Sequence, residues 1–405
     1  MINKTLSACL LIYVMTSCST GESARGTTKG TEKLPQITSP QIYAVKAPVA
    51  GNYPQGLFKY PYKAKSLVEE QFTQTLEWSP RVSKTFAADT KYTAALTLDP
   101  ASAQRTFEGT TLADVRGLPV EGVESGGISV ETRGRSLVVR IEFEKTAGEN
   151  AAAQIVFSDD FDGTSLNTDK WELCPEWDRQ GRSSWRDDMV SVSGGNLHIK
   201  FRLDKTLGAS KSANKTLADN WIRAGGIRSR KKDGSILFDS GYGYYEASIK
   251  FPVVSGTWGA FWLMSPTQHL LGDEGVDGTE IDIVESIHND NGEYNAALHW
   301  NGYDDKHKST GSGEGAKPVN IYDGQFHVFA LDWSPSEYVF YVDGKEFWRA
   351  DGGSRFQNAG INQNPNYIKL TVEGADWAGS IPLGFTEGEM LVDYVRVYNQ
   401  PKNGS

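Results

Sequence analysis

The strongest constraint on this chain is a side-chain period of two. Short stretches in which apolar, β-branched or aromatic residues alternate with polar ones recur at close spacing. Examples are Tyr92–Leu98, Ser136–Phe143, Asn196–Lys200, Tyr244–Phe251, Ala296–Trp300, Gln325–Trp333, Tyr338–Lys345 and Met390–Tyr398. Each carries the face alternation of a strand, and Gly, Pro, Asn and Asp punctuate the gaps between them. Helical periodicity is almost absent, so the pattern predicts an all-β chain built of antiparallel sandwiches. The 17 Tyr, 17 Phe, 11 Trp and 42 Gly fit a turn-rich, aromatic-rich β protein.

At 405 residues and 39% apolar content, the chain can bury one large core and one smaller core. The texture changes at Ala147–Ala152, which divides a small β-sandwich at 42–148 from a larger unit at 153–400. Upstream, Lys4 precedes an apolar stretch, Leu6–Met15, too short to span a bilayer and suited to the core of a signal peptide over residues 1–17. Val14–Cys18 resembles a bacterial lipoprotein processing site, with Cys18 as the lipidated residue. Residues 18–41, rich in Ser, Thr, Gly, Lys and Glu, read as a flexible tether. The chain is therefore expected to be exported and held at a bacterial membrane or cell surface, touching the membrane only through that anchor.

With Cys9 in the leader and Cys18 lipidated, Cys174 has no partner, and no disulfide framework is expected. A net charge of −10 provides no global basic field, which argues against a nucleic-acid partner. No His/Cys cluster has metal-ligand spacing, and no cofactor is expected.

The run Gly278–Ser286 interleaves Glu280, Asp282 and Glu285 with Ile281, Ile283 and Val284. In a regular strand Glu280 and Asp282 share one face and the isoleucines take the other, which leaves Glu285 with the wrong parity. A β-bulge near Ile283 or Val284 returns Glu285 to the acidic face, and bulges concentrate beside active sites. With backbones ~13 Å apart and side chains leaning together, the two Glu carboxyls approach to about 5 Å, the separation used by retaining glycosidases. The plainer alternative, a solvated acidic face, would rarely carry three acids in succession on a strand.

The region from Phe157 to Tyr398 resembles glycoside hydrolase family 16, the group of laminarinases, lichenases, agarases, porphyranases and carrageenases. The resemblance rests on Asp160–Gly163, Gly243–Glu246, Trp258–Met264, Glu280–Glu285, Trp333, Asp343-Gly344 and Val392–Val397, in this order through the whole region. It implies a concanavalin-like β-jelly-roll, with Glu280 as nucleophile, Glu285 as general acid/base and Asp282 between them. It also implies a retaining endo-hydrolase of a β-linked polysaccharide, a β-1,3- or mixed-linkage glucan first and a marine galactan as the alternative. A non-catalytic, lectin-like surface protein is the alternative of another class, and the two placed carboxyls argue against it.

Trp258 and Trp262 resemble sugar-stacking tryptophans, with core packing expected for one of the two. His299, Glu373 and Trp377 resemble cleft residues. Trp185 and Arg223 lie in a run with Arg179, Arg182, Arg186, Arg228 and Arg230, which would suit sulfate or carboxylate recognition if it converged on the cleft. Gly259 departs from the Pro common in laminarinases. Some relatives hold a structural calcium, for which Asp393 and carbonyls near Asp160–Gly163 are the available oxygens. The chain is expected to act as a monomer. At the small domain, Tyr92–Leu98, Asp99-Pro100 and Thr106–Gly109 resemble bacterial immunoglobulin-like modules, whose expected role is spacing or weak binding.

Overall fold

The structure is a computed structural model that describes residues 33–42, 45–54, 72–179, 182–271, 274–287, 292–313, 317–351 and 360–402. The leader expected at 1–17, Cys18 and the first part of the tether lie outside the described residues.

In the smaller unit Phe72–Ser79, Thr93–Pro100, Ser136–Phe143 and Val123–Arg133 pair in that order as one four-stranded antiparallel sheet. Alternation in Thr93–Pro100 turns Ala94, Leu96 and Leu98 into the core, beside Leu137, Val139, Ile141 and Phe143. The cover is Ile37, Ile42, Val45, Phe107 and Val115, which come from extended or irregular segments. Among the described residues of the unit expected as a sandwich at 42–148, the named strands form one sheet, and these extended segments cover its apolar face. The same contact shortens the tether expected to reach residue 41. Ile37 is 1% exposed and its N–H donates to the Thr106 carbonyl at 2.8 Å.

The larger unit stacks an 11-stranded sheet on a 7-stranded one. Between them lies one core that includes Leu197, Phe201, Tyr245, Phe261, Phe329 and Trp333. The smaller sheet runs Lys308–Gly311, Asn295–Trp300, Glu280–Glu285, Thr257–Met264, Tyr367–Gly374, Gly226–Arg228 and Glu172–Leu173, so the acidic strand is internal. Period-two alternation explains both faces of this sheet. In Tyr367–Gly374 the residues Ile368, Leu370 and Val372 enter the core, whereas Tyr367, Lys369, Thr371 and Glu373 point into a cleft. Each fully buried aliphatic contributes roughly 2 kcal/mol, which ties the polar face to one register.

Gly259 sits where a Cβ would come within 2.7 Å of the Met390 sulfur, and its N–H donates to Ser286 Oγ at 2.9 Å. Proline there would forfeit that bond and crowd the core.

The two units touch through Tyr53. Its ring packs on Tyr244, Ala330, Val339 and Tyr341, and its hydroxyl donates to Asp332 Oδ1 at 2.7 Å. Lys84 pairs with the other Asp332 oxygen at 2.7 Å.

Candidate active site

The outer face of the seven-stranded sheet floors a cleft of about 850 Å³. Register builds its centre. Phe261 pairs with Val284 but Trp262 pairs with Asp282, and the opposite ladder shifts between Asp282 and Glu285. The strand is therefore bulged at Ile283–Val284. Both bulge residues are buried in the core, and Glu280, Asp282 and Glu285 all line the cleft.

The neighbours of the three carboxyls differ. Burial pushes Glu280 up, but the Tyr303 hydroxyl donates to its Oε2, and Lys369, Arg179 and His307 add positive potential that favours the anion. Burial followed by the charges of Glu280 and Glu373 raises Glu285 to about 8, against donors from Asn295 and Trp258. Asp282 is raised well above the usual carboxylate range by burial and by the two glutamates that flank it. Its Oδ2 accepts no hydrogen bond among the described residues and lies 3.4 Å from His299 Nε2. Burial and the adjacent His307 hold His299 down at about 4, so its imidazole is neutral near neutral pH. Its Nδ1 meets His307 Nε2 at 3.0 Å. Glu280, Asp282 and His299 place one ligand atom each within 4.8 Å of one another.

Of the aromatic residues, Trp258, Trp262 and Trp377 line the cleft, with the rings of Trp258 and Trp377 4.5 Å apart. Trp262 donates to Thr371 Oγ1 at 3.0 Å, and the Lys369 ammonium sits 3.6 Å from its ring centre. Glu373 also lines the cleft and accepts from Arg179 Nε at 3.1 Å.

Two residues expected at the substrate surface are elsewhere. Trp185 is 0% exposed, donating to the Val372 carbonyl, with Arg179 4.5 Å and Lys369 4.8 Å from its ring centre, so it supports the cleft from beneath. Arg223 belongs to the other sheet and pairs with Asp188 at 2.6 Å and Asp204 at 3.5 Å. Of the sequence cluster of arginines, Arg179 lines the cleft. Arg182 caps the carbonyls of Gly256, Ala375 and Gly379, Arg228 donates to the Lys231 carbonyl, and Arg186 approaches Asp178.

The structure adds Tyr303, His307, Lys369 and Trp177 to the cleft lining. Lys369 was findable, since it has the parity of Glu373 in a strand whose opposite parity is Ile368, Leu370 and Val372. Tyr303 and His307 lie in a loop, which has no periodicity to betray them.

Residues 153–400 match the family described as beta-porphyranase A-D, GH16 domain. Among curated relatives, the glucan endo-1,3-beta-glucosidase A1 of Niallia circulans is 25% identical over 273 residues, 62% of this chain and 38% of that protein. The keratan-sulfate endo-1,4-beta-galactosidase of Sphingobacterium multivorum is 28% identical over 257 residues, 61% of this chain and 56% of that protein. Beta-porphyranase E of Zobellia galactanivorans is 27% identical over 233 residues, 55% and 76% respectively. The chain thus spans less than two thirds of the length of the first two.

Proposed function

Because this chain belongs to glycoside hydrolase family 16 through residues 153–400, we propose that it is a retaining, endo-acting O-glycosyl hydrolase of a β-linked polysaccharide. The observation that carries this reading is the bulged acidic strand, which delivers two glutamates with different neighbours to one cleft floor. Glu280, favoured as the anion by Tyr303, Lys369 and Arg179, attacks the anomeric carbon. Glu285, held protonated, gives its proton to the leaving oxygen and then, as a carboxylate, takes one from the water that releases the glycosyl enzyme. A protonated Asp282 between them avoids a third negative charge beside the nucleophile. The chemistry uses side chains and water and calls for no cofactor.

The substrate reading placed first is a β-1,3- or mixed-linkage β-glucan, supported by the tryptophans on the cleft wall and by glucanase relatives. A marine galactan (agarose, porphyran or carrageenan) is the second reading, and for a sulfated one a specific observation favours it. Arg179 and Lys369 stand in the cleft beside Glu280, where a bound anion would be paired, and the matched family is named for porphyranases. Incubation with laminarin, lichenan, agarose, porphyran and carrageenan, scored by reducing-end release, tests both. Oligosaccharides from agarose, porphyran or carrageenan with none from glucans would select the second, and no release from any would sink the enzymatic reading in favour of a binding protein.

Export with lipidation at Cys18, and action as a monomer, are part of the proposal. Release of a Cys18→Ala variant from membranes into the soluble fraction tests the anchor. A structural calcium is also part of the proposal, with exposed Asp393 and the carbonyls near Asp160–Gly163 as the oxygens available to it. Such oxygens are the ligand type a calcium ion takes, and the Asp160 carboxylate is itself engaged by Arg396 at 2.7 Å.

A further inference from the structure

We infer that Tyr303 is the positioning residue of the nucleophile, its phenol hydroxyl holding one oxygen of Glu280 so that the other is presented to the anomeric carbon. The inference rests on the reading of Glu280 as nucleophile given above.

The loop that carries Tyr303 is built for this contact. Glu280 pairs with His299 across the ladder, so the chain leaves the sheet just past the residue opposite the nucleophile. Asn301 and Gly302 then both take left-handed backbone, with φ of +64° and +71°. Such a conformation is unfavourable for a residue with a Cβ and must be sustained by its surroundings. Gln268 clamps the turn from both sides. Its carbonyl accepts from the Gly302 N–H at 3.0 Å, and its side-chain amide donates to the Gly302 carbonyl at 3.2 Å. The reversal sends Tyr303 back over the cleft floor.

Tyr303 is 60% exposed as a residue, yet its hydroxyl donates to Oε2 of Glu280, which is 8% exposed. The loop is tied to the acidic strand a second time. The His307 ring lies 5.5 Å from the Tyr303 ring and stacks on His299 at 5.1 Å with an interplanar angle of 5°, and His299 approaches Asp282. One loop thereby holds Glu280 directly and, through His307, stacks on the histidine that stands 3.4 Å from Asp282. A carboxylate fixed by a single oriented donor loses rotational freedom before substrate arrives, which is the source of catalytic gain in a preorganised site. The bond also favours the ionised nucleophile, as Lys369 and Arg179 do.

The test is the Tyr303→Phe variant of the full chain, assayed on whichever polysaccharide the unmodified protein cleaves. The ring is kept and the residue is largely exposed, so the variant should fold, its melting temperature lowered by no more than the loss of one donor to a charged group allows. We expect kcat to fall by about ten-fold or more, the scale of one hydrogen bond to a charged group, with KM little altered. The acid limb of kcat/KM should move to higher pH, because removing a donor to the anion makes Glu280 easier to protonate. A purely structural role would not move that limb. His307→Ala, which loosens the loop and removes positive potential beside Glu280 while keeping the hydroxyl, should move it in the same direction by less. An active parent whose Tyr303→Phe variant keeps both kcat and the acid limb overturns the role of Tyr303 alone. A parent inactive on every polysaccharide overturns this inference together with the function it rests on.

Discussion

Glu280 and Glu285 are the same residue type in one short strand, and only their neighbours separate them. One faces a phenol hydroxyl and two cations, the other faces two carboxylates. Glu280→Gln should lower turnover by roughly 10⁴-fold or more, as loss of a nucleophile does. Glu285→Gln should cost ~10²–10⁴-fold, the range for a general acid. Reducing-end assays check both, and full activity in either would refute the mechanism. Turnover requires Glu285 protonated and Glu280 ionised, so activity should fall as pH rises through about 8, where Glu285 loses its proton. Burial raises Glu280, so the acid limb should lie above the usual Glu range. Lys369→Met removes positive charge beside Glu280 and should push that limb still higher in a pH profile of kcat/KM. The acids themselves could be read from the chain because three of them interrupt an apolar alternation. Tyr303 could not, because its partner Glu280 is 23 positions away and a loop tip imposes no pattern on its residues.

Within the acidic strand, the bulge places the second glutamate, and its parity argument makes a sharp prediction. Deleting Val284 leaves Glu-Ile-Asp-Ile-Glu, a regular alternation with all three acids still on the cleft face. That variant should fold, losing ~2 kcal/mol for the missing buried side chain, and keep measurable hydrolysis. Deleting Ile283 and Val284 together turns Glu285 into a core that includes Phe261 and Leu298. A buried, unpaired carboxyl there should abolish activity and lower the melting temperature sharply. Circular dichroism melts with a reducing-end assay separate the two outcomes. The strand's alternation and its parity conflict are visible in the residues. The arginine run shows the limit of such reading, since Arg179, Arg182 and Arg223 are close in sequence or chemistry yet end in the cleft, under a carbonyl cluster and on the other sheet.

At the scale of the whole molecule, the two units are joined through Asp332, a fully buried carboxylate shared by Tyr53 and Lys84. Tyr53→Phe removes one donor to that charge and should cost about 1.5–3 kcal/mol, a melting temperature several degrees lower, with kcat/KM unchanged because Tyr53 is not among the residues that line the cleft. A thermal melt alongside steady-state kinetics checks it. The smaller unit was legible as β from its alternating strands, but what covers the apolar face of its sheet was not. Whether a second sheet or an extended segment covers an apolar face depends on which distant residues arrive there, and Ile37 has no local pattern that announces it. The amino-acid sequence by itself determined the all-β class, the strand that carries Glu280, Asp282 and Glu285, and the need for a bulge, because alternation and parity are local and the burial of Ile281 and Ile283 enforces them. Only the tertiary structure decided that Lys369, Arg179 and Tyr303 surround Glu280 while Trp185 lies beneath them. Those contacts join different strands and a loop, and they are set by sheet order and loop reversal rather than by any spacing along the chain.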